Sequence, residues 1–338
     1  MRAVILESLE HLRVVETPVP RVEPGKVLIR ISLCGICGTD FLMYDGRSPV
    51  EFPYRSLGHE YVGTVAEAGE GVRTLTAGDR VVIDPNYHCD SCYYCQRGET
   101  GFCENRRAFA TKSNGGFAEY SCVAEKHAQL IPPAVSDEQA IFAEPLSCCL
   151  HAFERIGLRP GEDLLIYGCG TMGLLMLQLC RRGGAGRIVA SDPVAIRREA
   201  ALRLGADRAV DPGTEDLAAV VSSAMPRGPG VVVESAGARN TIAEAVGLAA
   251  RRGRVLLLAT WGDGAQAGFD PELVVRKEVS LIGTIFGTGA LSRAVSLLAS
   301  RQVVTDSLLT RVYGLDDIGE AMRVAMGRGA IKVAVRTG

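Results

Sequence analysis

Four cysteines lie close together in one polar stretch of the chain. They are spaced Cys-x2-Cys-x2-Cys-x7-Cys and comprise Cys89, Cys92, Cys95 and Cys103. Four thiolates at this spacing can surround one Zn²⁺ tetrahedrally, at about 2.3 Å per sulfur, and leave no position for substrate. The segment therefore predicts a structural zinc site that stabilises its own loop. Unbound or disulfide-paired cysteines and an iron–sulfur cluster are the alternatives.

A second set of possible metal ligands is spread along the chain. Cys37 lies in CGICGTD (34–40), His59 in GHEY (58–61) and Glu144 in AEPL (143–146). One thiolate, one imidazole and one carboxylate can hold a catalytic zinc ion with a fourth position open. Taken singly, each residue has an ordinary explanation as a buried or solvated side chain. Their joint role therefore depends on the fold that brings them together.

A glycine-rich motif points to a dinucleotide. Gly168, Gly170 and Gly173, with Thr171 and Met172 between them, follow the apolar run DLLIY and precede a helix-like segment. In this context the glycines let the backbone approach a pyrophosphate at the helix N-terminus, where unpaired N–H groups favour negative charge. The motif predicts a dinucleotide-binding loop.

The next apolar run, RIVAS (187–191), ends beside Asp192, which is placed to bind the ribose hydroxyls. Its carboxylate would repel a 2′-phosphate by about 1–4 kcal/mol at about 4 Å, which favours NAD over NADP. Arg197 and Arg198 could instead pair with that phosphate, or lie on a solvated helix face.

The elements that must position these residues differ along the chain. Residues 1–147 contain short β-type runs such as KVLIRI (26–31), punctuated by Gly and Pro, as in a β-rich domain with long loops. From about residue 163, apolar runs alternate with helix-like stretches, which is typical of a doubly wound parallel sheet. We predict an α/β fold with this sheet in 148–286. Residues 287–338 would return to the first domain, ending in the strand IKVAV (331–335).

Composition excludes several classes of protein. The 338 residues carry a formal net charge of −2, so the long-range attraction that nucleic-acid and membrane-surface proteins use is absent. The N-terminal sequence does not resemble a signal peptide, and there is no run of 18 apolar residues. The eleven cysteines then fit metal binding better than a disulfide framework. We expect a soluble, cytoplasmic protein without nucleic-acid or membrane partners.

Several segments occur in the order seen in the zinc-dependent medium-chain dehydrogenase (alcohol dehydrogenase) family. CGICGTD, GHEYVGTV (58–65), the four-cysteine loop, AEPL and GCGTMG (168–173) together resemble this family over essentially the whole chain. The AEPL segment is similar to that of the polyol (sorbitol-type) and threonine dehydrogenase branch. The resemblance implies a Rossmann domain, a GroES-like catalytic domain, NAD and two Zn²⁺ ions per chain. It also implies a homodimer or homotetramer.

The resemblance also implies roles for individual residues. Cys37, His59 and Glu144 match the catalytic zinc ligands, and the four clustered cysteines match the structural ones. Consecutive residues of a strand point to opposite faces, so we interpret Glu60 as a nearby electrostatic or exchanging ligand. Cys148 could share a helical face with Glu144 but is interpreted, like Cys149, as a core residue.

Three further matches concern proton transfer and the cofactor. Thr39 would accept the substrate proton, Asp40 would steady the zinc-bound histidine, and Lys332 would contact the pyrophosphate. The sequence departs from the family at Leu42, where many relatives carry a proton-relaying histidine. Water or Glu60 would then serve as the proton exit.

The expected reaction is hydride transfer from an alcohol to C4 of the nicotinamide, with zinc as a Lewis acid. The predicted substrate is the secondary alcohol of a polyol, sugar or cyclitol, and L-threonine is the second possibility. The segment TIFGTG (284–289) lacks the Arg-Tyr pair of sorbitol enzymes. Tyr44, Arg47 and Phe109 are candidates for lining the pocket. Two competing hypotheses are a non-catalytic zinc and dinucleotide binding protein and a zinc-free reductase of the same fold.

Overall fold

The computed structural model describes residues 1–55, 57–105, 115–327 and 329–338. Contacts between Cα atoms divide the chain into two compact units. Unit 1 is Met1–Ser147 with Phe286–Gly338, and unit 2 is Cys148–Ile285. Among the described residues, no helix has the length and apolar character needed to cross a membrane.

The first part of the chain is rich in short strands. Its two longest strands, Lys26–Gly35 and Glu60–Ala68, each contain runs of consecutive buried residues, so both contribute to the core. The elements are β1 (Arg2–Ser8), β2 (His11–Glu16), β3 (Lys26–Gly35), α1 (Gly38–Tyr44), β4 (Glu60–Ala68), β5 (Arg80–Ile83), α2 (Tyr93–Gln96), β6 (Tyr120–Ala124), β7 (Ala128–Leu130), α3 (Asp137–Ala140) and α4 (Ala143–Ile156). Two short 3₁₀ helices lie at Thr100–Phe102 and Glu125–His127.

The second part alternates strands and helices. Three of its six strands are buried along their whole length, as expected for the centre of a parallel sheet covered on both faces. The elements are β8 (Leu164–Tyr167), α5 (Thr171–Arg182), β9 (Ile188–Ser191), α6 (Ala195–Arg203), β10 (Arg208–Val210), α7 (Leu217–Ala224), β11 (Val231–Glu234), α8 (Thr241–Leu248), β12 (Arg254–Leu257), α9 (Pro271–Lys277) and β13 (Ser280–Gly283).

The last part of the chain belongs to unit 1 again. It contains α10 (Leu291–Ala299), β14 (Leu309–Gly314), a 3₁₀ helix at Leu315–Asp317, α11 (Ile318–Met326) and β15 (Lys332–Arg336). β15 pairs antiparallel with β3, with Val335 opposite Cys34, so the C-terminal strand joins the sheet formed by the N-terminal part.

Each unit has its own sheet and core. Unit 2 contains a six-stranded parallel sheet in the order β10-β9-β8-β11-β12-β13, which is the doubly wound arrangement of dinucleotide-binding domains. Unit 1 contains a seven-stranded sheet, β14-β15-β3-β4-β5-β7 with β6 beside β3, and the hairpin β1-β2. The predicted α/β fold, with a parallel sheet and a second β-rich part, is confirmed.

Candidate functional site

The four clustered cysteines form a compact sulfur site in unit 1. All four sulfur atoms lie within 4.8 Å of one another. Cys89 Sγ is 4.0 Å from Cys95 Sγ, and Cys92 Sγ is 3.9 Å from Cys103 Sγ. Tetrahedral zinc with Zn–S bonds of about 2.3 Å requires sulfur atoms about 3.8 Å apart, so the arrangement fits the ion.

Hydrogen-bond donors around Cys89 favour its thiolate. The backbone N–H of Cys92 donates to Cys89 Sγ, and that of Cys89 donates to Cys103 Sγ, both at 3.4 Å. Donors from Asn105 and Ser91, each 3.5 Å from Cys89 Sγ, lower the pKa of the Cys89 thiol to about 5. Deprotonated sulfur is the form that binds metal.

A second cluster brings together Cys37, His59 and Glu60. Their ligand atoms lie within 4.8 Å of one another. Cys37 is the N-cap residue of α1, His59 immediately precedes β4, and Glu60 is the first residue of that strand. Glu60 is predicted to be a nearby electrostatic or exchanging ligand, and the structure places its carboxylate beside the thiolate and the imidazole. Strand alternation does not separate Glu60 from His59, because His59 lies before the regular strand begins.

Glu144 lies near this cluster. It occupies the first turn of α4 and is buried. Among the described residues it lies outside the group whose ligand atoms are mutually within 4.8 Å. Burial lowers the pKa of His59, but the negative charges of Cys37, Asp40 and Glu144 outweigh that effect and raise it well above its usual value. A site that so favours positive charge at the imidazole suits a metal cation.

Asp40 and Thr39 hold and flank the imidazole. The Asp40 carboxylate, 1% exposed, accepts hydrogen bonds from the backbone N–H groups of Cys37 and Gly58, each at 2.9 Å. One of its oxygens is 3.9 Å from Nδ1 of His59. The Thr39 hydroxyl oxygen is 3.5 Å from Nε2 on the other side of the ring. Asp40 thus fixes the residues on both sides of the predicted metal position.

Lys332 occupies a place that the sequence did not predict. Its ammonium group is 3% exposed, forms an ion pair with Glu60 and donates to the carbonyl oxygen of Ile36 at 3.1 Å. In unit 1 Lys332 therefore lies beside the group of Cys37, His59 and Glu60. Because 272 residues separate Lys332 from Glu60, sequence patterns gave no signal for the pair.

The glycine-rich loop in unit 2 is closely packed at two of its three glycines. Gly168 has φ +86°, and a Cβ there would lie 2.7 Å from the backbone nitrogen of Ala236. A Cβ at Gly173 would lie 2.8 Å from Ser235 Oγ and closer still to the carbonyl oxygen of Gly168. At Gly170, the N-cap of α5, a Cβ would meet no atom within 4 Å. This opening at a helix N-terminus fits an approaching pyrophosphate.

Asp192 lies directly after β9 and supports the same loop. It is 3% exposed, and its two oxygens accept the backbone N–H groups of Cys169 and Val194, each at 2.8 Å. Arg198 forms an ion pair with Asp211 at 3.1 Å and donates to the Asp192 carbonyl oxygen. Arg198 is thus committed within the unit. Because a carboxylate has about four acceptor positions, Asp192 can still accept ribose hydroxyls.

Two of the three remaining pocket candidates, Tyr44 and Arg47, lie in the part of the chain that the structure describes. Tyr44 ends α1, and Arg47 is exposed with its guanidinium donating to both oxygens of Asp45, at 2.6–3.0 Å. Phe109 lies outside the residues that the structure describes.

Comparisons with known proteins agree with this arrangement. Residues 23–133 match the alcohol dehydrogenase GroES-like domain, and residues 171–300 match the zinc-binding dehydrogenase family. The chain is 32% identical to D-arabinitol dehydrogenase 1 of Uromyces fabae, covering 99% of this chain and 97% of that protein. It is also 32% identical to L-threonine 3-dehydrogenase of Pyrococcus abyssi, over 92% and 90% of the two chains.

A solved structure extends the likeness to three dimensions. A zinc-binding dehydrogenase of Sinorhizobium meliloti 1021, bound to NADP, is 34% identical and superimposes with a TM-score of 0.93, covering 99% of this chain and 98% of the other. Similarity over nearly the full length, together with the two matched domains, leads to one conclusion. The chain belongs to the zinc-binding alcohol dehydrogenase family and is an oxidoreductase.

Proposed function

We propose that this enzyme oxidises a secondary alcohol of a polyol, sugar or cyclitol, with NAD as hydride acceptor. The observation that carries the proposal is the group of Cys37, His59 and Glu60 in unit 1, with Thr39 against the imidazole. The similarity to D-arabinitol dehydrogenase 1 supports a polyhydroxylated substrate.

We infer that Cys37, His59 and Glu144 hold the catalytic metal and that Glu60, paired with Lys332, is the exchanging carboxylate. A zinc ion held there would supply Lewis acidity to a substrate hydroxyl. With one thiolate and one carboxylate as ligands the site would be formally neutral, so it would offer no net positive charge to a substrate carboxylate. Thr39 accepts the hydroxyl proton, and Asp40 keeps the imidazole oriented.

The two carboxylates can be separated experimentally. We expect Glu144→Gln to lose the catalytic zinc and Glu60→Gln to retain it, because only Glu144 would be a permanent ligand. Zinc content per chain is the measurement. Zinc retained in Glu144→Gln but lost in Glu60→Gln would show that Glu60, and not Glu144, is the permanent ligand.

For the dinucleotide, we propose residues 148–286 as the binding domain and residues 1–147 with 287–338 as the catalytic domain. Bound NAD supplies the hydride acceptor. Backbone N–H groups from Gly170 to Gly173, including Thr171 and Met172, face the pyrophosphate, and Arg197 lies in the first turn of the following helix α6. The Sinorhizobium relative holds NADP, so the preference for NAD rests on the carboxylate of Asp192 in this chain.

Arg47 supports an uncharged substrate. A threonine carboxylate would need a cationic partner, and Arg47 already donates three hydrogen bonds to the carboxylate of Asp45. L-threonine nevertheless remains the second candidate, because the chain is 32% identical to a threonine dehydrogenase.

The test is NADH production from polyols, cyclitols, sugars, L-threonine and short primary alcohols, comparing kcat/KM. We expect the highest kcat/KM with a polyol, sugar or cyclitol, and little change in Arg47→Ala. L-Threonine as best substrate, with a large loss in Arg47→Ala, would reverse the ranking. Preference for a short primary alcohol would contradict both candidates.

We further propose a homodimer or homotetramer built on the edge of unit 2. β13 is the last strand of its sheet, and an edge strand offers unpaired backbone groups to a second copy. Nearby, Val275 of α9 is 70% exposed and Ile285 is 47% exposed. Light scattering should give a mass of two or four chains. A mass of 36.0 kDa would contradict this proposal.

We also propose a cytoplasmic location. All eleven cysteines lie in the described ranges and none is in a disulfide, although the four clustered sulfurs lie close together. A reducing compartment keeps such thiols available for metal.

A further inference from the structure

A cleft opens in unit 2 at the end of the parallel sheet where the strands begin. Its volume is about 610 Å³. Residues from the starts of four neighbouring strands, or from the turns leading into them, line it: Arg159, Glu162, Gly230, Arg251, Arg252, Arg254, Glu278 and Ser280. Since strands lie about 4.8 Å apart, four starts span about 14 Å. The cleft is therefore large enough for a small-molecule ligand.

The lining is strongly basic. Four arginines and two glutamates leave an excess of two positive charges, whereas the whole chain carries a net charge of −2. Arginine presents a planar fork of donors that matches phosphate oxygens. The charge and the residue type both favour an anion.

Part of this charge is needed by the fold itself. Helices of a parallel α/β sheet end near the starts of the strands, and their last carbonyl groups attract cations. Arg254 serves this purpose by donating to the carbonyl oxygens of Ile156 and Gly157 and by pairing with Glu162. Lys277 does the same for the end of α8. The helix ends therefore already have cationic partners.

Arg159 and Arg251 have no such structural role. Both are exposed, and within the described ranges neither guanidinium has a carboxylate partner. Neither is required by a helix end, by an ion pair or by the core. The two positive charges in excess thus belong to side chains that are available to a ligand.

Arg252 is a third possible donor, because only a weak ion pair has to be broken to release its guanidinium. It pairs with Glu278 at 3.4 Å, but the two side chains are 85% and 73% exposed, and such a pair is weak in water. Both residues also adopt left-handed backbone conformations, with φ of +58° and +51°. Non-glycine residues rarely adopt this conformation, and such strain often lies at functional sites.

We propose that this cleft binds an oligophosphate group of a small molecule through Arg159, Arg251 and Arg252. Several phosphates are favoured over one, because Arg159 precedes β8 whereas Arg251 and Arg252 precede β12, two strand spacings or about 10 Å away. The cleft lies at the amino ends of the strands, whereas Gly168 and Asp192 follow their carboxyl ends. The site is therefore separate from the dinucleotide loop, and NAD and the oligophosphate bind independently.

The test is calorimetric titration of the zinc-loaded enzyme, saturated with NAD, using tripolyphosphate as probe at low ionic strength. We expect one binding site per chain and at least about tenfold weaker binding in Arg159→Gln/Arg251→Gln, since each charged hydrogen bond contributes roughly tenfold. Arg203→Gln/Arg311→Gln removes the same charge from exposed positions outside the cleft, and this variant should bind tripolyphosphate as the unmodified enzyme does. Turnover should be unchanged in both variants, which verifies their folding.

Two further ligands separate the sources of the phosphate. ATP binding as tightly as tripolyphosphate, with glucose 6-phosphate much weaker, would support an oligophosphate site. Equal affinity for all three would contradict the requirement for several phosphates. The proposal would be overturned by a lack of tripolyphosphate binding in the presence of NAD. Equal weakening in the control variant would overturn it too, because it would indicate nonspecific charge attraction.

Discussion

Alanine at two neighbouring glycines should separate cofactor binding from folding. At Gly170 a Cβ would meet no protein atom within 4 Å, and the backbone is extended, with φ −73° and ψ −170°. The weaker N-capping of alanine is offset by the lower entropy of its unfolded chain, so stability should change by less than about 1 kcal/mol. A methyl group in the path of the pyrophosphate should weaken NAD binding at least about tenfold, or 1.4 kcal/mol.

Gly173→Ala, in contrast, should destabilise the fold directly and weaken NAD binding only as a consequence. Its Cβ would lie 2.8 Å from Ser235 Oγ and inside contact distance of the Gly168 carbonyl, so strand and helix must separate. We expect a loss of at least about 3 kcal/mol in the free energy of unfolding and a Tm lower by roughly 6 °C or more. Loss of NAD binding would follow from the damaged loop.

Thermal unfolding and NAD titration of the purified variants are the assays. Gly247→Ala, in α8, is the matched control, because its Cβ also meets nothing within 4 Å and lies away from the loop. It should bind NAD normally. Normal NAD affinity in Gly170→Ala would refute the assignment of this loop to the pyrophosphate, and an unchanged Tm in Gly173→Ala would refute the packing argument.

Two other predictions concern Asp192 and His127. Asp192→Ala should lower the free energy of unfolding by about 2–4 kcal/mol, because two backbone N–H groups lose their acceptor. It should also narrow the preference for NAD over NADP, because the charge that repels a 2′-phosphate is removed. An unchanged ratio of the kcat/KM values for the two cofactors would contradict the role of Asp192 in this preference. Burial lowers the pKa of His127 to about 4 from its usual 6.5, so the unfolded chain binds the proton first as pH falls. The free energy of unfolding should therefore decline by up to about 3 kcal/mol between pH 6.5 and 4, and this component should be absent in His127→Phe. Coincident pH profiles of the two proteins would exclude His127 as its source.

The parallel sheet was predictable because its strands leave a strong local pattern. Leu164–Tyr167 and Val231–Glu234 are buried at every position, and such continuous apolar runs between helix-like stretches are typical of this architecture. The sulfur site was predictable for a similar reason, since its four ligands come from one short loop. In both cases the spacing of residues along a short segment was enough to predict the structure.

Long-range pairing was not predictable from local patterns. The Lys332–Glu60 ion pair joins residues 272 positions apart, and only the antiparallel pairing of β15 with β3 brings the C-terminal strand to this place. Alternation also gave no guide to the distance between His59 and Glu60, because it applies inside a strand and His59 lies just outside β4. The role of Asp192 as an acceptor for the loop backbone likewise depends on side-chain direction, which a motif does not specify.

The zinc content of the purified enzyme, measured beside its activity, shows whether the chain holds one catalytic and one structural zinc ion. We predict two zinc ions per chain. Cys37→Ser should retain one and lose turnover with its Tm nearly unchanged, whereas Cys92→Ser should lose the other ion and have a lower Tm, since its sulfur belongs to the compact four-cysteine site. One zinc ion or none in a fully active enzyme would contradict the assignment of two zinc sites.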